Sequence, residues 1–222
     1  MAIKLLISGV ERTGKSTTTS KVKDGLVFSF DSKKYPFKVP HKNINEYYGM
    51  DALIDTMNET IGQYQEKYGE LPKTIVMDTV TQLYTKIAKY SMDKFNGFDI
   101  HSNINKETLM FNDYIENTLL ANDVNVVVVA HALLDENTSR YIIPASGNFA
   151  KTGSWLSIVD NASFIQVKNG SKFVISHSNL KFPCRTTLED IPVDQPISEY
   201  DINQHIALLS KQVSDNDEFS FD

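Results

Sequence analysis

Cysteine, arginine and long apolar runs are all scarce in this sequence of 222 residues. Cys184 is the only cysteine, which excludes an intrachain disulfide and is typical of a reducing compartment. The longest apolar run, Val124–Leu134, is interrupted by Asn125 and His131 and is too short to cross a bilayer. A strand-like segment begins at Ile3, so no signal peptide is predicted. We therefore expect a cytoplasmic protein with no membrane partner.

Charge is unevenly distributed along the chain. The formal net charge of −6 gives no overall indication of nucleic-acid binding. Residues 151–187 carry five basic side chains and one acid, whereas residues 188–222 carry nine acids and one lysine. A basic stretch followed by an acidic one is typical of regulated anion binding, although an ordinary scatter of surface charge accounts for it equally well.

One stretch near the N-terminus has the spacing of a phosphate-binding loop. Residues 9–16 are G-V-E-R-T-G-K-S and match the P-loop pattern G-x-x-x-x-G-K-S. A predicted strand, Ile3–Ile7, precedes the loop and a predicted helix, Lys15–Lys23, follows it. This is the context that the motif requires, so we predict binding of a nucleoside triphosphate. The predicted contacts come from Gly9, Val10, Glu11, Arg12, Thr13, Gly14, Lys15, Ser16 and Thr17.

The residue types of this loop suit phosphate and metal chemistry. Gly9 and Gly14 let the backbone bend and turn successive N–H groups toward phosphate oxygens. The positive end of the helix that begins at Lys15 points at the same phosphates. Lys15 is predicted to reach the β- and γ-phosphates, and the hydroxyl of Ser16 is predicted to ligate Mg²⁺.

Strands alternate with helices along the chain, which predicts an α/β fold with a mostly parallel central sheet flanked by helices. Two strands around Asn169-Gly170 form a predicted β-hairpin near the C-terminus. We expect an ATPase core over residues 1–200, a helix over 201–213 and a disordered acidic tail over 214–222. The other predicted helices are Met50–Tyr68, Val80–Phe95 and Ile104–Ala121, and the predicted loops are Ser32–Tyr48 and Ala145–Gly153.

A second apolar strand carries a candidate metal ligand. Ile75–Thr79 resembles a Walker B strand, which delivers a carboxylate to its C-terminal end beside the P-loop. Asp78 is therefore predicted to hold Mg²⁺, most simply through water. The alternative is that Asp78 or Thr79 caps the helix that begins at Val80, and the two roles are compatible.

Two further strand ends supply candidates for catalysis. In one large division of P-loop ATPases, a strand such as Val126–His131 lies between the other two, and its last residue faces the γ-phosphate. His131 is predicted to sense that phosphate or to position the attacking water, although a lone histidine is more often structural. Asp31, at the end of the strand Leu26–Phe30, is the candidate for activating water. Glu11 is the reserve candidate, and Asp31 is equally suited to a turn.

Two basic residues near the end of the last clear strand are candidates of a different kind. Lys181 and Arg185 stand close together, and a pair of this kind can reach the γ-phosphate of a neighbouring subunit as an arginine finger does. The alternative is a solvated surface pair.

Together these residues resemble those of RecA-like ATPases, and most of all the short RecA-like ATPases of bacteriophages that are grouped with single-strand annealing and recombination proteins. The resemblance implies a RecA-like core, ATP and Mg²⁺ as cofactors, single-stranded DNA as a partner and self-assembly into a ring or filament. A single-stranded DNA-binding protein is an additional implied partner, and the host cytoplasm is the implied location. The likeness runs from Ile3 to Thr187 and rests on Gly9–Thr17, Asp31, Ile75–Thr79, Val126–His131, Gly147–Gly153, Lys181 and Arg185.

The chain departs from that family at two positions. RecA-like recombinases usually carry glutamate where Asp31 stands, and many carry glutamine where His131 stands. The resemblance also implies a switch segment between His131 and Lys151 that carries Lys151 and Arg140 toward DNA phosphates. Phe149 in this segment either stacks on a base or belongs to the core.

Other functions of P-loop proteins fit less well. Small-molecule kinases bring two charged phosphate groups together and tend to use several arginines, whereas this chain has only three. GTPases normally recognise guanine through N-K-x-D, and Asn105–Thr108 lacks the aspartate. An ATP switch that does not recombine DNA, such as a helicase loader, stays open as an alternative.

The last nine residues, Ser214–Asp222, contain four acids, two phenylalanines and no base. This composition resembles the acidic tails of single-stranded DNA-binding proteins, which mimic nucleic acid and also dock partner proteins. By that logic the tail competes with DNA for the basic stretch between Lys151 and Arg185. Alternatively, it keeps an assembling protein soluble.

Overall fold

The computed structural model of the protein describes residues 1–31, 34–152 and 154–217. The strands in these ranges are β1 (Lys4–Gly9), β2 (Gly25–Ser29), β3 (His41–Asn43), β4 (Thr74–Asp78), β5 (Asn125–His131), β6 (Leu133–Asp135), β7 (Arg140–Ile142), β8 (Asn161–Lys168), β9 (Ser171–Ile175) and β10 (Asp194–Pro196). The α-helices are α1 (Lys15–Thr19), α2 (Met50–Tyr68), α3 (Val80–Lys94), α4 (Phe98–Tyr114), α5 (Phe149–Thr152), α6 (Trp155–Ile158) and α7 (Ile202–Asp217).

A mixed eight-stranded sheet forms the centre of the fold, in the order β10–β9–β8–β1–β5–β4–β2–β3. The strands from β8 to β3 are parallel, β9 pairs antiparallel with β8, and β10 pairs antiparallel with β9. β5 lies between β1 and β4, as predicted, and Gly9 pairs in register with His131. The α/β fold of a P-loop NTPase core is therefore confirmed, and parallel strands bring Gly9, Asp78 and His131 to one edge, here called the catalytic edge.

Helices cover both faces of the sheet because its central strands are apolar on both sides. In β1, Leu6 packs into one core with Met57 of α2 and Phe111 of α4. Its neighbour Ile7 points to the other face and packs with Leu209 of α7. None of the helices in the described ranges is long and apolar enough to cross a membrane.

The predicted helices α2 and α3 and the hairpin of β8 and β9 are confirmed. Asn169 and Gly170 both have positive φ, 52° and 78°, as a two-residue hairpin turn requires. The helix predicted from Ile104 instead begins at Phe98. Its first residues, 98–103, are mostly poor helix formers, which is why the sequence did not indicate them. Asn103 donates a 2.9 Å hydrogen bond to Ser91 of α3, a tertiary contact that helps hold this first part of α4. A π-helical segment, Ile115–Leu119, then ends it.

Two predictions near the P-loop were wrong. α1 ends at Thr19 rather than Lys23, after a run of β-branched threonines with low helix propensity. Thr18 and Thr19 donate their hydroxyls back to the carbonyls of Gly14 and Lys15, over 3.0 and 3.2 Å. The predicted loop Ser32–Tyr48 contains the short edge strand β3. The sequence did not indicate this strand because the prolines on its N-terminal side favour a loop.

Two further segments are more ordered than the sequence indicated. The predicted loop Ala145–Gly153 contains the single-turn helix α5, and the chain before it forms a separate hairpin of β6 and β7. The last helix, predicted to end at Val213, continues to Asp217, so the first four residues of the predicted tail are helical. Residues 218–222 of the tail lie outside the described residues.

Candidate nucleotide site

The P-loop joins β1 to α1 at the catalytic edge, and both of its glycines are needed there. A Cβ on Gly9 would stand 2.7 Å from the carbonyl oxygen of Ile165 in β8, which is too close for any side chain. Gly14 has φ 103° and occupies the N-cap position of α1. The glycines therefore let the loop pass close to the neighbouring strand and turn sharply into the helix.

Lys15 is held inside this loop. Its side chain is nearly buried, with 4% exposed, and Nζ donates to the carbonyls of Gly9 and Val10 over 3.0 and 2.7 Å. Burial lowers the pKa of Lys15 to about 8, against the opposing charges of Asp78, Glu11 and Asp31. The amine thus lies where a P-loop binds phosphate, and its carbonyl contacts are ones that a phosphate can replace.

Asp78 and Ser16 form a setting that fits Mg²⁺. Burial raises the pKa of Asp78 to about 6, while the nearby hydroxyl of Ser16 and the charge of Lys15 oppose this shift. Asp78 Oδ1 is buried and has no hydrogen-bond partner among the described residues. A buried carboxylate oxygen without a donor suits a hard cation, which also takes hydroxyl, water and phosphate oxygens. No cluster of three or more histidine, cysteine or acidic side chains suited to a metal occurs in the described ranges.

The capping alternative for Asp78 is not realised in the described structure. The N-cap of α3 is Thr79, and neither its side chain nor another in the described residues makes a capping hydrogen bond there. Asp78 is only 2% exposed and ends β4, between β5 and β2. Its carboxylate is therefore available to a metal.

His131 and Asp31 complete the constellation. The backbone N–H of His131 donates to Thr81 Oγ1 over 3.3 Å, and its Nδ1 is buried without a partner among the described residues. Burial, and then the charge of Lys15, lower the pKa of His131, so the imidazole is neutral at neutral pH. Asp31 acts electrostatically on Lys15, Asp78 and His131, which places its carboxylate in the same site.

A family model of AAA domains, AAA_24, matches residues 1–179, a range that contains the P-loop, Asp31, Asp78 and His131. The chain belongs to this family. A comparison with curated proteins finds no match. Members of the family are P-loop ATPases, so the family assignment indicates ATP binding and hydrolysis in general.

The backbone of Arg185 stands away from the P-loop of this AAA domain, whereas Lys181 lies beside the β6–β7 hairpin, where its carbonyl accepts a 2.9 Å hydrogen bond from the N–H of Tyr141. The backbone of Arg185 pairs with Ala162 of β8, and its guanidinium donates to the carbonyl of Leu156 over 3.2 Å. Ala162 stands three residues before Ile165, which is the residue opposite Gly9, so Arg185 is about 10 Å from the catalytic edge. Lys181 is exposed, and its Nζ lies 5.7 Å from the centroid of the Phe182 ring. A role for either residue against a neighbouring subunit stays a prediction.

Two further residues that the sequence did not predict lie near the site. Nζ of Lys172, in β9, lies 3.5 Å from the position that a Cβ on Gly14 would occupy. Tyr35 is buried, and its pKa is raised by burial and then by the charge of Asp78. Neither belongs to a motif. Only the tertiary arrangement of β8 beside β1 brings the turn of the hairpin over the P-loop.

The alternative roles of Phe149 are resolved in favour of the core. Its side chain is 8% exposed, and its ring packs edge to face on Trp155 with 5.5 Å between the centroids. Asn105 of α4 accepts a 2.6 Å hydrogen bond from the N–H of Asn148, which fixes the start of α5. The side chain of Lys151 lies outside the described part of the chain.

Proposed function

We propose that this AAA domain is a Mg²⁺-dependent ATPase that binds single-stranded DNA and uses ATP turnover to promote annealing or recombination. The observation that carries the proposal is the convergence of Asp78 and His131, which end two adjacent strands, with Lys15, which follows the neighbouring strand β1 through the P-loop, on one edge of the sheet. Its resemblance to short RecA-like phage ATPases supports the choice of DNA as the partner.

Each residue of the site has a distinct task in ATP hydrolysis. Asp78 and Ser16 would hold Mg²⁺, which would supply positive charge to neutralise the phosphates of bound ATP. Lys15 would exchange its carbonyl contacts for the β- and γ-phosphates. The neutral imidazole of His131 contacts the γ-phosphate or positions water. Asp31 is the proposed group that accepts the proton of the attacking water, with Glu11 as the reserve.

The segment that follows His131 is the proposed switch. β5 leads through Ala132 directly into the hairpin of β6 and β7, on which Arg140 is exposed. A contact between His131 and the γ-phosphate would therefore hold the start of this hairpin. Hydrolysis removes the γ-phosphate, so the contact would be lost and the start of the hairpin would be released. Arg140 and Lys151 are the proposed contacts to DNA phosphates, which carry affinity without reading sequence.

Assembly into a ring or filament completes the proposal. Lys181 or Arg185 is the proposed contact to the nucleotide of a neighbouring subunit, because Lys181 is exposed and the backbone of Arg185 pairs about 10 Å from the catalytic edge of its own chain. A single-stranded DNA-binding protein is proposed as an additional partner.

The direct test measures phosphate release from ATP and Mg²⁺ with and without an oligo-dT strand, for the wild type and for Lys15→Ala. We expect DNA to stimulate the wild type and the variant to be inactive, because it lacks the point charge on the β- and γ-phosphates. An equal rate of ATP hydrolysis with and without DNA would favour an ATP switch such as a helicase loader. Phosphoryl transfer to a nucleoside monophosphate would instead identify a kinase.

A further inference from the structure

Three grooves lie one after another beside the β3 edge of the sheet and are here together called the edge groove. The first, about 650 Å³, lies between residues 37–41 and the C-terminal half of α2. The second, about 380 Å³, lies between residues 42–48 and the N-terminal half of α2. The third, about 590 Å³, lies between residues 45–48 and α3, and it shares those four residues with the second. Along α2 alone, from Ala52 to Tyr68, the groove extends for about 24 Å.

The edge groove is basic, although the chain as a whole carries a net charge of −6. The only carboxylates that line its described walls are Glu46 and Asp93, and the hydroxyl of Tyr48 donates to Glu46. Its lysines come from three separate elements, so the positive charge extends along the whole groove. They are Lys38, Lys42, Lys67, Lys86, Lys89 and Lys94.

Aromatic rings stand between these lysines. Tyr48 is 70% exposed and Tyr68 is 48% exposed, so both rings are accessible to a partner. The ring of Tyr68 lies 4.5 Å from that of Tyr64, and Nζ of Lys67 lies 5.3 Å from the Tyr68 centroid. Alternating cations and accessible rings are what a single-stranded nucleic acid requires, since its phosphates and its bases are both exposed.

The geometry of the edge disfavours a protein strand as the occupant. β3 has only three residues, Pro40 precedes it, and the side chains of His41 and Lys42 are exposed on it. A short edge strand with a neighbouring proline and lysine is a feature that blunts pairing with another chain. The groove is therefore better suited to a polyanion than to a second β-strand.

One end of the edge groove lies toward the catalytic edge, since Gln82 of α3 lines it and α3 begins two residues after Asp78. Lys86 lines the third groove and donates a 2.8 Å hydrogen bond to the carbonyl of Asn45. The same lysine is influenced by the charge of Asp31 at the catalytic edge. A strand in the groove thus lies within electrostatic range of the group proposed to activate water.

We infer that the edge groove is a binding track for single-stranded nucleic acid, with lysines on its phosphates and tyrosines stacked on its bases. This inference rests on the proposed function but names a surface other than the switch segment. A strand of about 20 nucleotides is long enough to cover the groove and to extend past the catalytic edge.

The test measures the fluorescence anisotropy of a labelled oligo-dT of about 20 nucleotides as protein concentration rises. The titration is repeated at salt concentrations from about 50 to 200 mM, and each gives an affinity. The charge variant combines Lys38→Ala, Lys67→Ala and Lys89→Ala. Its matched control removes three exposed lysines elsewhere: Lys21→Ala, Lys23→Ala and Lys211→Ala. The ring variant combines Tyr48→Ala and Tyr68→Ala, and its control replaces both tyrosines by phenylalanine.

We expect the charge variant to bind at least about tenfold more weakly at low salt, and its log–log salt slope to be shallower by about 2. The ring variant should lose about tenfold or more at every salt concentration, and both controls should bind like the wild type. If the wild type binds and all four variants bind equally well, the inference fails while the proposed function stands. If the wild type does not bind the strand, both fail. A change in oligomeric state with an unchanged salt slope would show that the groove is a subunit interface, which also overturns the inference.

Discussion

Burial sets the protonation of three groups in the nucleotide site. It lowers the pKa of Lys15 to about 8, raises that of Asp78 to about 6 and lowers that of His131. Each shift disfavours the charged form in the free protein, and a bound nucleotide with Mg²⁺ reverses the balance for Lys15 and Asp78 by supplying partners of opposite charge. Burial of these charged groups therefore lowers the stability of the free protein, and it prepares Lys15 and Asp78 to bind the nucleotide and Mg²⁺.

Asp78→Asn tests that exchange. Because the folded pKa of Asp78 is raised from 3.8 to about 6, the wild type loses stability as pH rises from about 4 to about 6. The variant should be more stable at pH 7 by at most about 3 kcal/mol, and the gain should shrink as pH falls toward 4. ATP hydrolysis should be lost, because asparagine is a poor Mg²⁺ ligand. Thermal unfolding across pH and a phosphate-release assay measure both effects. Full activity in the variant would remove Asp78 from the metal site.

Lys172→Met tests whether the hairpin contributes to nucleotide binding. Nζ of Lys172 approaches the Gly14 side of the P-loop, where backbone N–H groups cradle the α- and β-phosphates. We expect ATP and ADP to bind about tenfold more weakly, the effect of one charge-assisted contact. Titration calorimetry measures both affinities, and Lys168→Met, in the same hairpin, is the control. Equal affinities of the two variants would show that Lys172 is only a nearby surface residue.

At the scale of elements, the sequence predicts what is local and misses what is tertiary. The P-loop, the strand of Asp78 and the strand of His131 are short apolar runs that end in polar residues, and their order in the sheet was predictable from the motif. β3 was not, because Pro40 stands beside it and the strand forms through its tertiary pairing with β2. The contact of Lys172 with the P-loop joins residues 158 positions apart, which no local pattern encodes.

The short helix α5 offers a prediction that separates packing from DNA binding. Phe149 packs on Trp155, so Phe149→Ala should destabilise the protein by about 3–5 kcal/mol. Phe149→Leu keeps most of the buried volume and should keep single-stranded DNA affinity within about twofold. Thermal unfolding and anisotropy with oligo-dT measure the two quantities. A stable leucine variant with a large loss of DNA affinity would instead establish Phe149 as a stacking residue.

At the scale of the whole molecule, the proposed assembly would bring Lys181 or Arg185 to the nucleotide of a neighbouring subunit. Arg185→Ala and Lys15→Ala proteins should each be inactive, because each lacks one half of every shared site. Mixing them should restore part of the ATPase activity, since some interfaces then combine an intact P-loop with an intact arginine. Arg185 must first leave the carbonyl of Leu156, so Lys181→Ala is tested in parallel. A fully active monomer, measured by light scattering under assay conditions, would contradict the arrangement.

The last described turns of α7 lie on the face of the sheet opposite to α2, which forms one wall of the edge groove. Gln212 of α7 exchanges hydrogen bonds with Thr187, over 2.8 and 3.1 Å, so these turns stand beside the end of the basic stretch 151–187. The neighbouring Thr186 accepts a hydrogen bond from Asn161 at the start of β8, which is five strand spacings from β3, or about 24 Å. We therefore expect a DNA strand confined to the edge groove not to reach this part of α7, and a strand that extends beyond the groove to reach it.

Deletion of residues 214–222 should consequently act according to DNA length and salt. With an oligo-dT of about 40 nucleotides, the truncated protein should bind more tightly at low salt, because competing negative charge near the basic stretch is gone. That gain should shrink as salt screens the tail, and it should be absent for a strand of about 10 nucleotides. Anisotropy titrations over both lengths measure the effect, and truncation after Asp217, which keeps α7 whole, controls for loss of the helix end. Equal affinities at every length and salt concentration would leave the tail a role in solubility or in docking another protein.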